Sequence, residues 1–232
     1  MTWTDRIAFF SVLDITAVAF LVVGWLLIGW WIDRPNPTHP SVSNLMASYR
    51  REWMEQMVTR DPRIFDAQIL SSLRQGTAFF ASTCIIAIGG TLAVIGNAEK
   101  VSGVANDLIL ARDPAFVWEI KLVGIALFLT NGFLKFVWSN RLFGYTAVLV
   151  ASVPNDTSDP RAIPRANQAA EIGITAARGF NRGLRSVYFA LATAAWLAGP
   201  IPLLCATAFT LGVIYRREFA SNSRQILLNT QA

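Results

Sequence analysis

Four long apolar segments constrain this chain more than any other feature of its 232 residues. Their approximate bounds are residues 8–32, 77–97, 116–138 and 188–215. Each is longer than the roughly 18 to 20 residues that an α-helix needs to cross about 30 Å of hydrocarbon. None has the period-two alternation of a transmembrane β-strand, and lipid cannot satisfy an unpaired backbone. The segments therefore predict an all-α fold, a polytopic bundle of four transmembrane helices.

Composition agrees with a membrane protein. Hydrophobic residues make up 53% of the chain, charged residues make up 15%, and the mean hydropathy is +0.42, all unlike a typical soluble domain. We expect residues 1–232 to form a single integral membrane domain, with cytoplasmic connections at residues 33–76 and 139–187. The first segment is expected to stay as an anchor, because it does not end in the small residues of a cleavage site.

Basic residues predict the orientation, because Lys and Arg near the ends of spans are retained on the cytoplasmic side. The two connections carry twelve arginines, whereas the opposite face of a four-span protein would carry six basic residues. Those six are Arg6, Lys100, Arg112, Arg216, Arg217 and Arg224. Both termini are therefore expected outside. A fifth crossing or a re-entrant segment would reverse part of this assignment.

The cytoplasmic connections are expected to contain amphipathic helices. One is predicted by apolar residues at steps of three or four: Met46, Tyr49, Trp53 and Met57. A second is expected to begin at the Asp61-Pro62 pair, which is typical of a helix start, and to continue into the second apolar segment. A third should begin near Pro164, after a turn-rich run.

Three arginines of the second connection share one helical face. Arg178, Arg182 and Arg185 are spaced at i, i+4 and i+7. One interpretation is a contact with phosphate, from an anionic lipid headgroup or a soluble anion, because guanidinium groups are planar bidentate donors. The other is structural. In that case the arginines fix the topology and pair with acidic residues on the same side of the membrane: Glu52, Glu55, Asp61 or Asp66.

Charged residues inside the apolar segments are candidate functional groups, since each costs a few kcal/mol in lipid. Asp14 lies about two turns into the first segment, and Glu119 and Lys121 lie about one turn into the third. The first and third spans run in the same direction, so Asp14 and Lys121 would lie at similar depth. They could form an ion pair that locks the bundle, or a protonatable site in a transport path.

The third segment carries two more polar residues on one face, Asn131 and Lys135. Lys135 is close enough to the end of the segment to extend its ammonium group to the interface. Asn131 is deeper and is expected to form an interhelical hydrogen bond.

Small residues mark two candidate helix-packing faces. Gly89 and Ala93 form a small-xxx-small pair, and Ala190, Ala194 and Ala198 form a longer series. Such faces permit close packing within one bundle or between protomers. The run that begins at Gly199 and Pro200 is expected to kink or break the fourth segment, because proline removes backbone donors.

Several functional classes lack their required residues. His39 is the only histidine, so bis-histidine haem ligation and histidine-based metal clusters are excluded within one chain. Neither a phosphate-binding glycine loop nor a dinucleotide fingerprint is present. No catalytic residue, metal ligand or cofactor is predicted. The net charge of +5 is scattered near the membrane, which favours anionic lipid headgroups over nucleic acid as partners.

Polar and aromatic motifs are distributed over most of the chain. They are Tyr49-Arg50-Arg51-Glu52-Trp53-Met54, Arg60-Asp61-Pro62-Arg63-Ile64-Phe65-Asp66, Lys135-Phe136-Val137-Trp138-Ser139, Asn181-Arg182-Gly183-Leu184-Arg185-Ser186 and Tyr215-Arg216-Arg217-Glu218-Phe219. Together they resemble the domain-of-unknown-function family numbered 599. The resemblance implies a bacterial multi-span membrane protein. In a bacterium the orientation predicted from the basic residues places the protein in the cytoplasmic (inner) membrane, with both termini in the periplasm. That family has no assigned activity, so no site residues carry over.

Two functional hypotheses follow. The first is a non-catalytic membrane component, either a self-associating bundle or an accessory subunit of a larger membrane complex. The second is an oligomeric transporter or channel for an ion or small anionic solute, which Asp14, Lys121 and Lys135 would serve. Four spans are few for a monomeric transporter, so the second hypothesis requires a homo-oligomer.

Overall fold

A computed structural model describes residues 9–97 and 114–229 of the protein. All regular secondary structure within those two ranges is helical, as the apolar segments predict. In chain order the elements are α1 (Val12–Asp33), α2 (Val42–Met57), α3 (Ile64–Ile95), α4 (Ala115–Ala151), α5 (Ala162–Ala194), a 3-10 helix (Ala195–Ala198), α6 (Pro200–Phe219) and α7 (Asn222–Asn229). The expected start of the first segment at Ala8 and the basic residues Arg6, Lys100 and Arg112 lie outside the described residues.

Three helices, α1, α3 and α4, are long and apolar enough to cross a membrane. They cover most of the first three predicted segments, and apolar helices of this length are those of a membrane protein. α3 and α4 exceed one crossing, because at 1.5 Å per residue their 32 and 37 residues extend for roughly 48 and 56 Å. The helix expected at Asp61-Pro62 does continue into the second segment, although it begins two residues later, at Ile64.

The fourth predicted segment, residues 188–215, is interrupted where its Gly-Pro-Ile-Pro sequence predicts a break. α5 ends at Ala194, a 3-10 helix follows, and α6 begins at Pro200. Gly199 between them has a φ of 116°, a conformation that residues with a side chain rarely adopt. Proline in the first turn of a helix needs no backbone donor, so Pro200 can start α6 without losing a hydrogen bond. These residues therefore form separate helical pieces rather than one continuous span.

The chain is divided between two compact units. Unit 1 comprises Met1–Trp30, Thr83–Gly132 and Leu184–Tyr215. Unit 2 comprises Trp31–Ser82, Phe133–Gly183 and Arg216–Ala232. The chain thus enters unit 1 three times, and after Tyr215 it returns to the unit that holds most of the two predicted connections.

Within unit 1, glycines allow helices to pack at short distances. A Cβ added to Gly24 in α1 would lie 3.0 Å from Leu211 in α6. One added to Gly124 in α4 would lie 3.3 Å from Thr193 in α5. At these two glycines, α6 packs close to α1 and the end of α5 packs close to α4.

The core of unit 2 is built from the amphipathic faces of α2 and α5. Four alanines of α5 pack with the end of α2, the start of α3 and the end of α4: Ala162, Ala166, Ala169 and Ala170. Their small side chains let large residues such as Met54 and Met57 fill the space between helices. The predicted helix at α2 is confirmed, but Met46 is not on its buried face, since it is 38% exposed.

Arginine side chains bind carbonyls at the helix ends of unit 2. Arg63 donates to the carbonyls of Val153 and Pro154, at 2.6 and 2.8 Å, and to that of Val58 at 3.3 Å. These carbonyls follow α4 and α2, where unpaired acceptors and the negative end of the helix dipole favour a cation. Arg63, which precedes α3, therefore joins the start of α3 to the ends of α2 and α4.

The same motif supplies a buried carboxylate. Asp66 is fully buried, and its Oδ1 atom accepts hydrogen bonds from Arg60 and from Trp53 Nε1. Asp66 was one of four acidic residues considered as partners for the arginines of α5, and the structure pairs it with Arg60. The nearer Arg60, six residues away, reaches it from the turn that precedes α3.

Candidate functional site

Asp14 lies in the first turn of α1, which starts at Val12. The sequence had placed it about two turns inside the span. Its Oδ2 atom accepts hydrogen bonds from Ser11 Oγ at 2.6 Å and Ser11 N at 3.1 Å, and its own N–H donates back to Ser11 Oγ. This reciprocal arrangement is a capping box, for which the Ser-x-x-Asp spacing is the sequence signal that was missed. The Oδ1 atom accepts from Trp196 Nε1 at 2.8 Å.

Lys121 is buried in the same unit as Asp14, with only 4% of its surface exposed. Its ammonium lies 5.5 Å from the centre of the Trp118 ring. Trp118 is also buried, and within the described part of the chain its Nε1 atom has no hydrogen-bond partner. Glu119 lies half-buried on the same helix as Lys121.

Asn131 and Lys135 have different surroundings although they lie one turn apart on α4. Asn131 belongs to unit 1 and donates from Nδ2 to Ser186 Oγ in α5, at 2.7 Å. Ser186 is fully buried, so this is an interhelical hydrogen bond of the kind expected from the sequence. Lys135 belongs to unit 2 and is half-buried, and it has no hydrogen bond or ion pair among the residues that the structure describes.

The two predicted small-residue faces differ in burial. Ala190 is buried, Ala194 is half-buried and Ala198 is exposed. Gly89 and Ala93 are both exposed on α3, and a Cβ added to Gly89 would meet no atom within 4 Å. Only the start of the alanine series therefore packs within the chain.

Glycines outside the apolar segments form closer contacts than either predicted face. Gly179 and Gly183 lie four residues apart on α5 and face α4 in unit 2. A Cβ on Gly179 would lie 3.5 Å from Ser139 Cβ, and one on Gly183 would lie 2.7 Å from the Phe136 ring. Their small-xxx-small spacing was visible in the sequence, but it lies in a polar stretch.

The three arginines predicted to share one face have separate roles. Arg182 pairs with Asp33, with Nε and Oδ2 2.7 Å apart, rather than with any of the four acidic residues expected from the sequence. Arg185 belongs to unit 1 and is only 6% exposed. Arg178 remains in unit 2 and lines a cavity. A common helical face therefore does not give these side chains a common environment.

That cavity, which we call the arginine cavity, has a volume of about 540 Å³ and lies entirely within unit 2. It is enclosed by α2, the first half of α3, α4, α5 and the segment that follows Tyr215. Its charged and amide groups are Arg50, Arg178, Asn181, Arg217 and Glu218. Its apolar wall includes Met46, Leu73, Phe143, Ile174 and Phe180. Arg50 and Arg217 were considered in the sequence only as charges that set the topology.

The single carboxylate of the arginine cavity is already hydrogen-bonded. Glu218 accepts from the backbone N–H and from the hydroxyl of Ser43, each at 3.0 Å. Asn181 Nδ2 donates to the same hydroxyl at 3.1 Å. Glu218 therefore joins the end of α6 to the start of α2.

Arg50 and Arg178 are half-buried in this cavity. Within residues 9–97 and 114–229, neither forms a hydrogen bond or an ion pair. Burial lowers the pKa of Arg50, because the charged guanidinium loses water. The cavity thus contains two cationic groups whose donors are available to a ligand.

In the described ranges, no group of three or more His, Cys, Asp or Glu side chains is placed to hold a metal ion. Cys84 is buried and Cys205 is exposed, and both are free thiols.

Comparison with known proteins identifies a family but no characterised relative. Searches of the curated proteins and of the solved structures found no match. The family described as "Protein of unknown function, DUF599" matches residues 16–223, which include all the motifs quoted above. Because the match covers most of its length, including the residues that line the arginine cavity of unit 2, the chain belongs to the DUF599 family.

Proposed function

We propose that this protein is a non-catalytic component of a bacterial inner membrane and that it associates with further copies of itself. The observation that carries the proposal is the exposure of α3. Of its most apolar part only 6% is buried, against 22% in α1 and 28% in α4. α3 is therefore the span with the most surface left for another protein.

The small residues of α3 support a helix as the occupant of this surface. Gly89, Gly90 and Ala93 are all exposed, and a Cβ on either glycine would meet no atom within 4 Å. Small residues on a span let two backbones approach closely, which gains van der Waals contact that lipid chains do not provide. Two copies of α3 would offer this face to each other, as a two-fold interface requires.

The polar groups of unit 1 support a structural rather than a catalytic role. Asp14 caps its own helix and accepts from Trp196, and Asn131 is bonded to Ser186. Polar groups that are used in internal bonds stabilise a bundle, whereas a catalytic site needs groups that are directed at a substrate.

The experiment compares Gly89→Leu and Gly90→Leu with Gly212→Leu by native mass spectrometry of protein extracted gently from its own membrane. Gly212 is an exposed helical glycine of α6 that also meets no atom within 4 Å, so it is a matched control. We expect a defined oligomer that both α3 variants weaken and the control preserves. A monomer would contradict self-association. A stoichiometric complex with a different protein would instead indicate an accessory subunit.

For the membrane topology we propose three full spans and a helical hairpin that begins and ends on the cytoplasmic side. This replaces the expected fourth span, and it moves the C-terminal segment from the periplasm to the cytoplasm. Contacts within unit 2 support it, because Glu218 binds Ser43 and Arg224 donates to the Pro40 carbonyl at 2.9 Å. The change raises the cytoplasmic arginines from twelve to fifteen, and only Arg6, Lys100 and Arg112 remain outside.

Reporter fusions test this topology. A fluorescent protein fused after Asn229 should fluoresce, and alkaline phosphatase at the same position should be inactive, since that enzyme folds only in the periplasm. The same reporters fused after Asn97, which follows α3, should give the opposite result. Active phosphatase after Asn229 would restore the four-span arrangement with both termini outside.

An oligomeric transporter or channel for a small anion is the second candidate. Arg50 and Arg178 of the arginine cavity and Lys135 favour it, since they are cationic groups without partners in the described part of the chain. Asp14→Asn and Lys121→Met separate the two functions. A transporter would lose anion flux in liposomes while it keeps its assembly. Under our first proposal these variants lose stability or assembly, and the wild type shows no flux.

A further inference from the structure

Most arginines of unit 2 are used within the protein. Nine of them donate to a carboxylate, a carbonyl or another polar side chain. Arg51, next to Arg50, pairs with Glu171 at 2.6 Å, and Arg182, one turn after Arg178, pairs with Asp33. Arg50 and Arg178 differ from their own neighbours, because among the described residues they have no such bond although they are half-buried.

A half-buried guanidinium without a partner is unfavourable, since it loses water and gains no hydrogen bond in return. Glu218 is the one carboxylate of the arginine cavity, and its two oxygens are held by Ser43. Three guanidinium groups against this carboxylate leave the cavity with a net charge of +2. An anion that accepts several hydrogen bonds would offset this charge.

The second cavity of unit 2 shows that arginines alone do not make a site. It is larger, about 740 Å³, and it also contains two arginines, Arg63 and Arg74. Arg63 is bonded to three backbone carbonyls, and Arg74 donates to Asn140 at 3.4 Å. Asp61 contributes a negative charge to the same lining. Of these two cavities, the arginine cavity alone combines excess positive charge with arginines that have no bond to the described residues.

We infer that the arginine cavity binds a phosphate group, with Arg50 and Arg178 as its principal donors. A phosphate has several acceptor oxygens and carries up to two negative charges, which match two guanidinium forks. A volume of about 540 Å³ exceeds what a bare ion fills and is within the usual range for small organic ligands. The wall formed by Met46, Leu73 and Phe180 accommodates an apolar group next to the phosphate. A phospholipid headgroup and a soluble phosphate ester both provide this chemistry.

The test uses four variants of the full-length protein, purified in detergent. Arg50→Gln and Arg178→Gln remove the proposed donors. Arg51→Gln and Arg182→Gln remove the same charge from neighbouring positions of the same helices, so they control for net charge. The probes are glycerol 3-phosphate for the soluble source and dioctanoyl phosphatidic acid for the lipid source, with binding measured by titration calorimetry.

We expect the wild type to bind at least one probe saturably, and each cavity variant to bind it about tenfold more weakly, since one charge-assisted hydrogen bond contributes about 1.5 kcal/mol. The two controls should stay within about twofold of the wild type. Binding of glycerol 3-phosphate would indicate a soluble ester, and binding of phosphatidic acid alone would indicate a lipid.

Two results would overturn the inference. In one, neither probe binds the wild type. In the other, all four variants weaken binding alike, which would indicate general surface attraction. Folding is checked by thermal unfolding without a probe, where the cavity variants should match or exceed the wild type because they remove an unpartnered charge. If both cavity variants unfold at lower temperature, the guanidinium groups have a structural role and the inference also fails.

Discussion

Replacing Gly183 with alanine tests the closest helix contact of unit 2. The new Cβ would lie 2.7, 2.9 and 3.0 Å from three atoms of the Phe136 ring. Phe136 is fully buried, and its ring centre lies 5.4 Å from those of both Phe80 and Phe180. The ring therefore cannot move without displacing two others. Overpacking of this kind costs about 1–3 kcal/mol, whereas alanine in a helix is about 1 kcal/mol more favourable than glycine.

We expect Gly183→Ala to lower the free energy of unfolding by up to about 2 kcal/mol after both effects are combined. The assay is equilibrium unfolding in mixed detergent micelles, followed by tryptophan fluorescence. Gly144→Ala is the matched control, because Gly144 lies within α4 and a Cβ there would meet no atom within 4 Å. That variant should be more stable than the wild type by up to about 1 kcal/mol.

The two substitutions should thus change the free energy of unfolding in opposite directions. If Gly183→Ala were as stable as Gly144→Ala, the Phe136 ring would be free to yield and the packing argument would be wrong. A second substitution identifies the cause. In a Phe136→Leu background, the penalty of alanine at 183 should shrink by at least about 0.5 kcal/mol, as expected for residues in contact.

Three further substitutions follow from the hydrogen bonds of the structure. Asn131→Leu removes the bond to Ser186 and should cost about 0.6–1.7 kcal/mol in the same unfolding assay. Arg63→Gln removes three bonds to backbone carbonyls and should cost about 2–4 kcal/mol, and lysine at this position should not restore the wild-type value, because one ammonium cannot replace the planar fork. The Arg161 side chain lowers the pKa of Asp159 to about 2, so its carboxylate contributes fully above its usual pKa of 3.8. The stability difference between the wild type and Asp159→Asn, measured across a pH series, should therefore disappear as the pH falls from 3.8 towards 2, and a constant difference would contradict it.

Local sequence signals predicted the three long apolar helices and the break in the last apolar segment. Length and hydropathy are properties of a single helix, and the conformation at Gly199 depends on its own backbone and on Pro200. The same reasoning placed Asp14 too deep, because the apolar run was read from Ala8 and the Ser-x-x-Asp capping pattern was not. Helix starts depend on such side-chain bonds rather than on hydropathy.

The direction of the chain after the break could not be predicted from the sequence. A kinked span and a hairpin contain the same residues, and they differ only in where the next segment packs. The bond between Arg224 and the Pro40 carbonyl joins positions 184 residues apart, so no local pattern records it. The count of basic residues on each side of the membrane did not predict the direction either, because residues can be assigned to a side only after the number of crossings has been assumed.

The arginines show why the sequence alone could not identify the residues of the candidate binding site. Arg50 and Arg51 are adjacent in one motif, yet Arg51 is paired with Glu171 at the surface while Arg50 lies half-buried beside a cavity. Arg178 and Arg182 differ in the same way, although they share a helical face. A guanidinium is free when no acceptor lies near it, and the acceptors of Arg51 and Arg182 come from segments distant in sequence. The periodicity of a helix can therefore group arginines on a face, but only the packed structure distinguishes the two that are available to bind a phosphate.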